Sequence, residues 1–315
     1  MLTLTNTGAE PTTRTLTVSS PIATMPAALG SELTGTVTAR YGLTVVTPRL
    51  SGDGFEVAGT TLTRTVALDP GQSTTLKVLL GATTRELPGS NADYERFRGY
   101  DPETAFATHV REYNRWWVDN VPYIDVPDQN VKKMSYYRTF LNRFNHVDAN
   151  IPGNDFQFPV SIEGVLGYNN AIQLTQPMHM QDLKYFRDPL YSYGDWVSSG
   201  ETSKCTAFTD NPGNTANWNN TYEQYIAREA WNAYKVHGGD RAVIERFARY
   251  AECDVKGQLA KYDGNGNHLI AYGAGALTGN DADAVALAWF GGAQDRTESA
   301  FWYSGAKAAA EAYSI

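Results

Sequence analysis

The pattern of apolar and polar positions changes character near residue 85. Before it, Thr, Val and Leu alternate with polar residues in "RTLTVSS" (14–20), "GLTVVTP" (42–48), "TTLTRTVAL" (60–68) and "STTLKVLL" (73–80). A two-residue period sends alternate side chains to opposite faces, so each segment predicts a strand with one buried face. "SGDG" (51–54) and "DPGQ" (69–72) supply the turn residues between strands. Residues 1–85 therefore predict part of a β-sandwich. It opens directly on a strand-like "LTLTN", as if the sandwich began further upstream.

Residues 86–103 predict a polar linker. Asp101 then stands at a helix N-cap position, with Pro102 at the first helical position and Glu103 in the first turn. Phe106, Val110, Tyr113 and Trp117 follow at the spacing of one helix face. A second helix is expected from about Asn130 to His146. A third is expected to begin near Thr221, paired with Gln224 as a capping box. It would carry Tyr222, Tyr225, Ile226 and Ala230 and stop at "HGGD" (237–240). Asp240 is expected to cap the next helix, with Ile244, Phe247, Ala251, Val255 and Leu259 on its buried face. A final helix is expected over about 297–313. Strands followed by helices predict a multidomain β plus α chain, with a helical domain over 104–315. Its segments 147–175, 187–218 and 261–281 are rich in Asp, Asn, Gly, Tyr and Trp and are expected to be the loops that carry a site.

Composition narrows the functions open to such a chain. A formal net charge of -8 argues against nucleic-acid or anionic-membrane partners. No apolar run reaches the roughly 18–20 residues of a membrane helix. No basic and apolar leader follows Met1. Cys205 and Cys253 fit either a disulfide or two free thiols. Aromatics make up 12% of the chain, and many neighbour Asn, Asp or Gly. That pattern suits either core packing or sugar stacking. "DGNGN" (263–267) has the start of a calcium loop without its downstream Glu. No metal and no cofactor is expected.

The chemistry centres on "GALTGNDADAV" (275–285), which holds Asp281 and Asp283. Asp281 stands where a loop re-enters a helix, and Asp283 in the following first turn, where a carboxylate suits the helix dipole. "TGND" (278–281) resembles the Ser-Gly-x-Asp signature of inverting glycoside hydrolases built on an (α/α)6 barrel. These are the trehalases, family 63 glucosidases and mannosylglycerate hydrolases. "DRTESAFWYSGAKAAAEAY" (295–313) is similar to the helix that follows that signature. "IPGNDFQFPVSIEG" (151–164) resembles the Pro-Gly-Gly-Arg-Phe segment of trehalase, with Asn154 and Asp155 where the basic residue would stand. The resemblance implies a β-sandwich followed by an (α/α)6 toroid, with Asp281 as general acid and Glu163 beside the sugar. It also implies an extracellular or periplasmic protein.

Candidate sugar contacts are Glu163, Asp155, Asn169 and Asp283, with Trp196 and Trp218 as stacking platforms. His179 is expected to be structural. Inversion needs a second carboxylate roughly 6.5–9.5 Å from the acid. Asp283 is too close in sequence, and in the resembling families the base is a Glu far downstream. The expectation is a partial chain: part of a sandwich and the first half of an incomplete barrel, with the base beyond Ile315. Its substrate would be an oligo- or polysaccharide with α-glucoside or α-mannoside bonds. A sugar phosphorylase and a non-catalytic carbohydrate-binding module are the alternatives.

Overall fold

The computed structural model describes residues 1–28, 30–38, 45–149, 156–164, 171–212, 224–271 and 296–315, with side chains of the last segment from 299. Its contacts divide the chain into two compact units, Met1–Asn114 and Arg115–Ile315.

The first unit is antiparallel β. Its strands are β1 (Leu2–Thr5), β2 (Thr12–Val18), β3 (Met25–Pro26), β4 (Glu32–Thr34), β5 (Val37–Thr38), β6 (Val45–Gly52), β7 (Glu56–Ala58), β8 (Thr61–Leu68), β9 (Ser73–Leu76) and β10 (Val78–Thr84). They pair as β1-β9, as β2-β8-β7, and as β10-β6-β4-β3 with β5 also on β6. The alternation in sequence sets the register. Val18 faces Leu62 across β2 and β8, and Leu80 faces Leu50 across β10 and β6. Leu33, Leu50, Phe55, Leu62 and Leu76 then meet in one core drawn from all three sheets. Each fully buried Leu contributes roughly 1.5–3 kcal/mol. "DPGQ" makes the expected turn, with Gly71 at φ +75°, a conformation that side chains with a Cβ rarely adopt.

The expected linker is not wholly irregular. It contains α1 (Gly89–Gly99), which packs on β10. Its buried Tyr94 hydroxyl meets Ser51 Oγ at 2.9 Å. The Arg49 guanidinium lies 4.0 Å over the Tyr94 ring and donates to Glu32 through Nε (3.0 Å) and Nη2 (3.1 Å). Helix α2 (Pro102–Asn120) starts as expected, with Thr104 N donating to Asp101 Oδ2 at 2.9 Å. The first part of its apolar stripe is exposed, Phe106 at 67% and Val110 at 40%, while Trp117 packs edge-on to Trp116 and Tyr136.

The second unit holds α3 (Gln129–Asn145), a short ribbon of β11 (His146–Val147) with β12 (Val160–Ser161), α4 (Gln176–Leu183), α5 (Leu190–Thr202), α6 (Ile226–His237), α7 (Arg241–Tyr262) and α8 (Arg296–Tyr313). Asp240 caps α7 through Val243 N. Gly238, at φ +70°, ends α6 and donates its N–H to Tyr234 O. The expected capping box at α6 takes another form. The helix begins at Ile226, whose N–H is accepted by Gln224 Oε1 at 2.9 Å, and Thr221 lies outside the described residues.

Core packing in this unit is aromatic. Trp231 stacks on Phe247 at 5.3 Å, and its Nε1 donates to Glu311 at 2.5 Å. Ala308, Ala309 and Ala312 let α8 approach this cluster closely. The segment 187–218, expected to be loop, contains α5. Among the described residues no helix is long and apolar enough to cross a membrane.

Candidate functional site

Not all of the interior of the second unit is apolar. Ser192, Asp195, Ser198 and Ser199 lie on α5 and are all at most 1% exposed. Their spacing puts them on the inward side of the helix. Gln173, three residues before α4, and Gln176, its first residue, are fully buried beside them. Gln173 Nε2 donates to Ser199 Oγ (3.2 Å), Gln176 Oε1 (3.3 Å) and Thr209 O (2.9 Å).

Three buried carboxyls frame this polar interior, and each accepts a backbone N–H from another segment. Asp195 Oδ1 accepts from Ser161 N at 2.7 Å. Asp210 Oδ1 accepts from Gln173 N at 2.8 Å. Asp254 Oδ1, on α7, accepts from Phe208 N at 2.8 Å, while its Oδ2 accepts from Gln224 and Gln258 Nε2, both at 2.8 Å.

Burial pushes Asp195 up to about 7 against the opposing bond from Ser161. Burial also pushes Asp210 up to about 7; the Gln173 N–H opposes this and the charge of Glu163 adds to it. Asp254 rises to about 6, again by burial, with its three donors opposing. Glu163, half-buried two residues beyond β12, is also raised by burial. Asp195, Asp210 and Asp254 are thereby poised to hold or release a proton near neutral pH.

Several polar atoms here have no hydrogen-bond partner among the described residues: Asp195 Oδ2, Asp210 Oδ2, Gln173 Oε1, Gln176 Nε2 and Ser198 Oγ. Leaving a buried polar atom unpaired costs on the order of 1–3 kcal/mol, so such atoms mark places where water or a polar ligand belongs. Backbone strain falls in the same region. Lys204, Cys205 and Asn211 have φ of 51°, 62° and 46°, left-handed values uncommon outside glycine.

Of the sequence-derived candidates, Glu163 is near this cluster. Asp281, Asp283, Asp155, Asn169 and Trp218 lie outside the described residues. Trp196 is not a stacking platform. It is on α5, 3% exposed, and its ring is packed by Tyr193, Phe247 and Tyr250 at 5.7, 5.9 and 5.3 Å, which leaves no face for a sugar. His179, on α4, is partly buried, and its pKa is lowered by desolvation.

Sequence reading missed Asp195, Asp210, Asp254, Gln173 and Gln176. The signal for one of them was present: "DWVSSG" (195–200) places Asp195, Ser198 and Ser199 at i, i+3 and i+4.

The Asp263 carboxylate, at the calcium-like turn, accepts the backbone N–H groups of Asn267 (3.0 Å) and His268 (2.9 Å). Among the described residues no cluster of three His, Cys, Asp or Glu is arranged to hold a metal. Cys205 and Cys253 form a disulfide. A scan of the chain against protein-family models finds no match.

Proposed function

We propose that this chain belongs to an inverting O-glycoside hydrolase with an (α/α)6 toroid, acting on α-glucosides or α-mannosides. The observation that carries the reading is a set of buried carboxyls raised by burial, with Asp210 also feeling the charge of Glu163, beside buried, unpaired amide and hydroxyl groups. Alternating donors and acceptors of this kind suit a polyhydroxyl ligand. They do not suit an apolar one. The disulfide supports an oxidising compartment, extracellular or periplasmic.

In this reading Asp281 is the general acid and gives its proton to the glycosidic oxygen as the C–O bond breaks. Glu163 and Asp210 hold sugar hydroxyls next to it. The carboxylate that takes a proton from the attacking water is a second acid, a downstream Glu as the resemblance implies. Water arrives on the face opposite the leaving group, so the anomeric configuration inverts.

The test is hydrolysis of α-linked glucose and mannose disaccharides by this chain and by a version extended downstream, with the product anomer read by NMR. Asp281→Asn should abolish turnover in the active form. Glu163→Gln and Asp210→Asn should weaken substrate binding. Near-normal turnover in Asp281→Asn defeats the assignment. Turnover that depends on added phosphate points to a phosphorylase. Sugar binding without hydrolysis in either version points to a binding module.

A further inference from the structure

We propose that the Cys205–Cys253 disulfide is a positioning element of this site: it pins residues 203–212 to α7, and through that segment it sets the Asp210 carboxyl against Gln173. The inference rests on the site described under Proposed function, and it names a structural bond as part of that site's machinery.

Three fastenings lie on one face of α7. Cys253 is bonded to Cys205. The next residue, Asp254, accepts Phe208 N at 2.8 Å. One turn further, a Cβ on Gly257 would collide with the backbone of Thr206 and Ala207, so the segment lies directly on the helix there. Immediately after these fastenings the same segment turns to the polar interior. Thr209 O accepts Gln173 Nε2 at 2.9 Å, and Asp210 Oδ1 accepts Gln173 N at 2.8 Å. Asn211 exchanges bonds with Ala171, its N–H to Ala171 O and its Oδ1 from Ala171 N, each at 2.8 Å. The segment is held on α7 at one end and presents Asp210 at the other.

The backbone shows why a covalent bond matters here. Lys204 and Cys205 are consecutive left-handed residues that both carry a Cβ. Such strain persists only where surrounding structure holds it, and the disulfide bonds one of the two strained residues directly.

The bond is also within reach of a reductant. Cys205 is exposed, and with Thr209, Lys256 and Lys261 it lines a groove of about 590 Å³. A dithiol thiolate can attack Cys205 Sγ there. Cys253 then leaves as a thiolate and takes a proton. The second thiol of the reagent closes a cyclic disulfide and frees Cys205. The reagent gives up two electrons and two protons, and the protein gains two thiols.

The experiment uses the full chain with ¹³C-labelled aspartate and follows the Asp210 Cγ titration, assigned by its loss in Asp210→Asn. In the oxidised protein it should titrate near neutrality. After reduction with dithiothreitol its midpoint should fall by at least one pH unit, because the freed segment lets the carboxyl meet water. Asp195 Cγ, held from α5, should keep its titration. An Asp210 midpoint unmoved by reduction while Asp195 is also unmoved overturns the proposal.

If reduction unfolds the unit, Asp195 moves too, and Gly257→Ala decides the matter with the disulfide intact. Its methyl group must lift the segment from α7, so Asp210 should again shift downward. An unmoved Asp210 in a folded Gly257→Ala protein overturns the proposal. The titration needs no substrate. Failure to hydrolyse any glycoside therefore counts against the proposed function and leaves this test intact.

Discussion

Asp195→Asn should make the second unit more stable, and the gain should grow with pH. Asp195 is fully buried, and its carboxyl is pushed up to about 7 by burial. The unfolded chain titrates the same group near 3.9. The native protein therefore keeps a proton that the unfolded chain releases between about pH 4 and pH 7, and stability falls as pH rises through that window. A shift of roughly three units corresponds to about 4 kcal/mol once ionisation is complete. Integrated, the cost is about 1–2 kcal/mol at pH 5 and about 4 kcal/mol at pH 8. Asparagine has nearly the same shape, can still accept Ser161 N–H, and never ionises.

The difference between variant and wild type should therefore grow by about 2–3 kcal/mol from pH 5 to pH 8. All seven tryptophans lie after Asn114, so indole fluorescence reports the second unit alone. Urea unfolding of both proteins at the two pH values gives the numbers, provided the m-values agree. A stability difference of equal size at pH 5 and pH 8 refutes the reasoning, because it means that Asp195 does not hold its proton in the folded state.

Other outcomes follow from the same geometry. His146 is lowered to about 4, chiefly by burial, and its ring lies 4.8 Å from that of Tyr191. The unfolded chain takes the proton first, so stability should fall by about 3 kcal/mol as pH drops from 6.5 to 4, and His146→Gln should flatten that loss in the urea midpoints. The disulfide spans 48 residues; Cys205→Ser with Cys253→Ser should cost about 4 kcal/mol by the loop-entropy argument, read as a lower urea midpoint for indole fluorescence. In the first unit, Glu32→Ala leaves the Arg49 guanidinium with Glu95 as its remaining carboxylate and should cost about 1–3 kcal/mol, seen by far-UV circular dichroism with little change in indole signal.

Most of the regular structure was legible because it obeys a short period or a local cap. The strands of the first unit follow a two-residue alternation, and α7 starts at Asp240 as its capping pattern requires. Reading failed where tertiary contact overrode local pattern. On α7 the expected face holds at Phe247 and Ala251, but Ile244, Val255 and Leu259 are only partly buried, while the polar Asp254 and Gln258 take fully buried positions. Polar residues take the inward positions because they hold segments far away in sequence, and no local rule encodes that. Trp196 misled for the same reason. Its neighbours in sequence are polar, but those neighbours themselves point inward on α5. Asp281, at the centre of the resemblance, lies outside the described residues.

The three buried aspartates are better understood as one device than as three anomalies. Each reaches from its own segment to a single backbone N–H of another: Asp195 to Ser161, Asp210 to Gln173 and Asp254 to Phe208. Ser161 leads within two residues to Glu163, Gln173 opens the polar interior, and Phe208 precedes Asp210 by two. The anchored amides are therefore those next to the groups that would meet a ligand. A leucine at the same positions would avoid the ionisation cost at pH 8 but would leave each N–H buried and unbonded, at about 1–3 kcal/mol each. An asparagine would keep the bond and lose the proton equilibrium. Only an aspartate both fixes the segment and remains titratable near pH 7. Retaining three such groups in the interior of one helical unit is a cost that packing does not require, and it falls where the proposed carbohydrate chemistry needs fixed polar groups and movable protons.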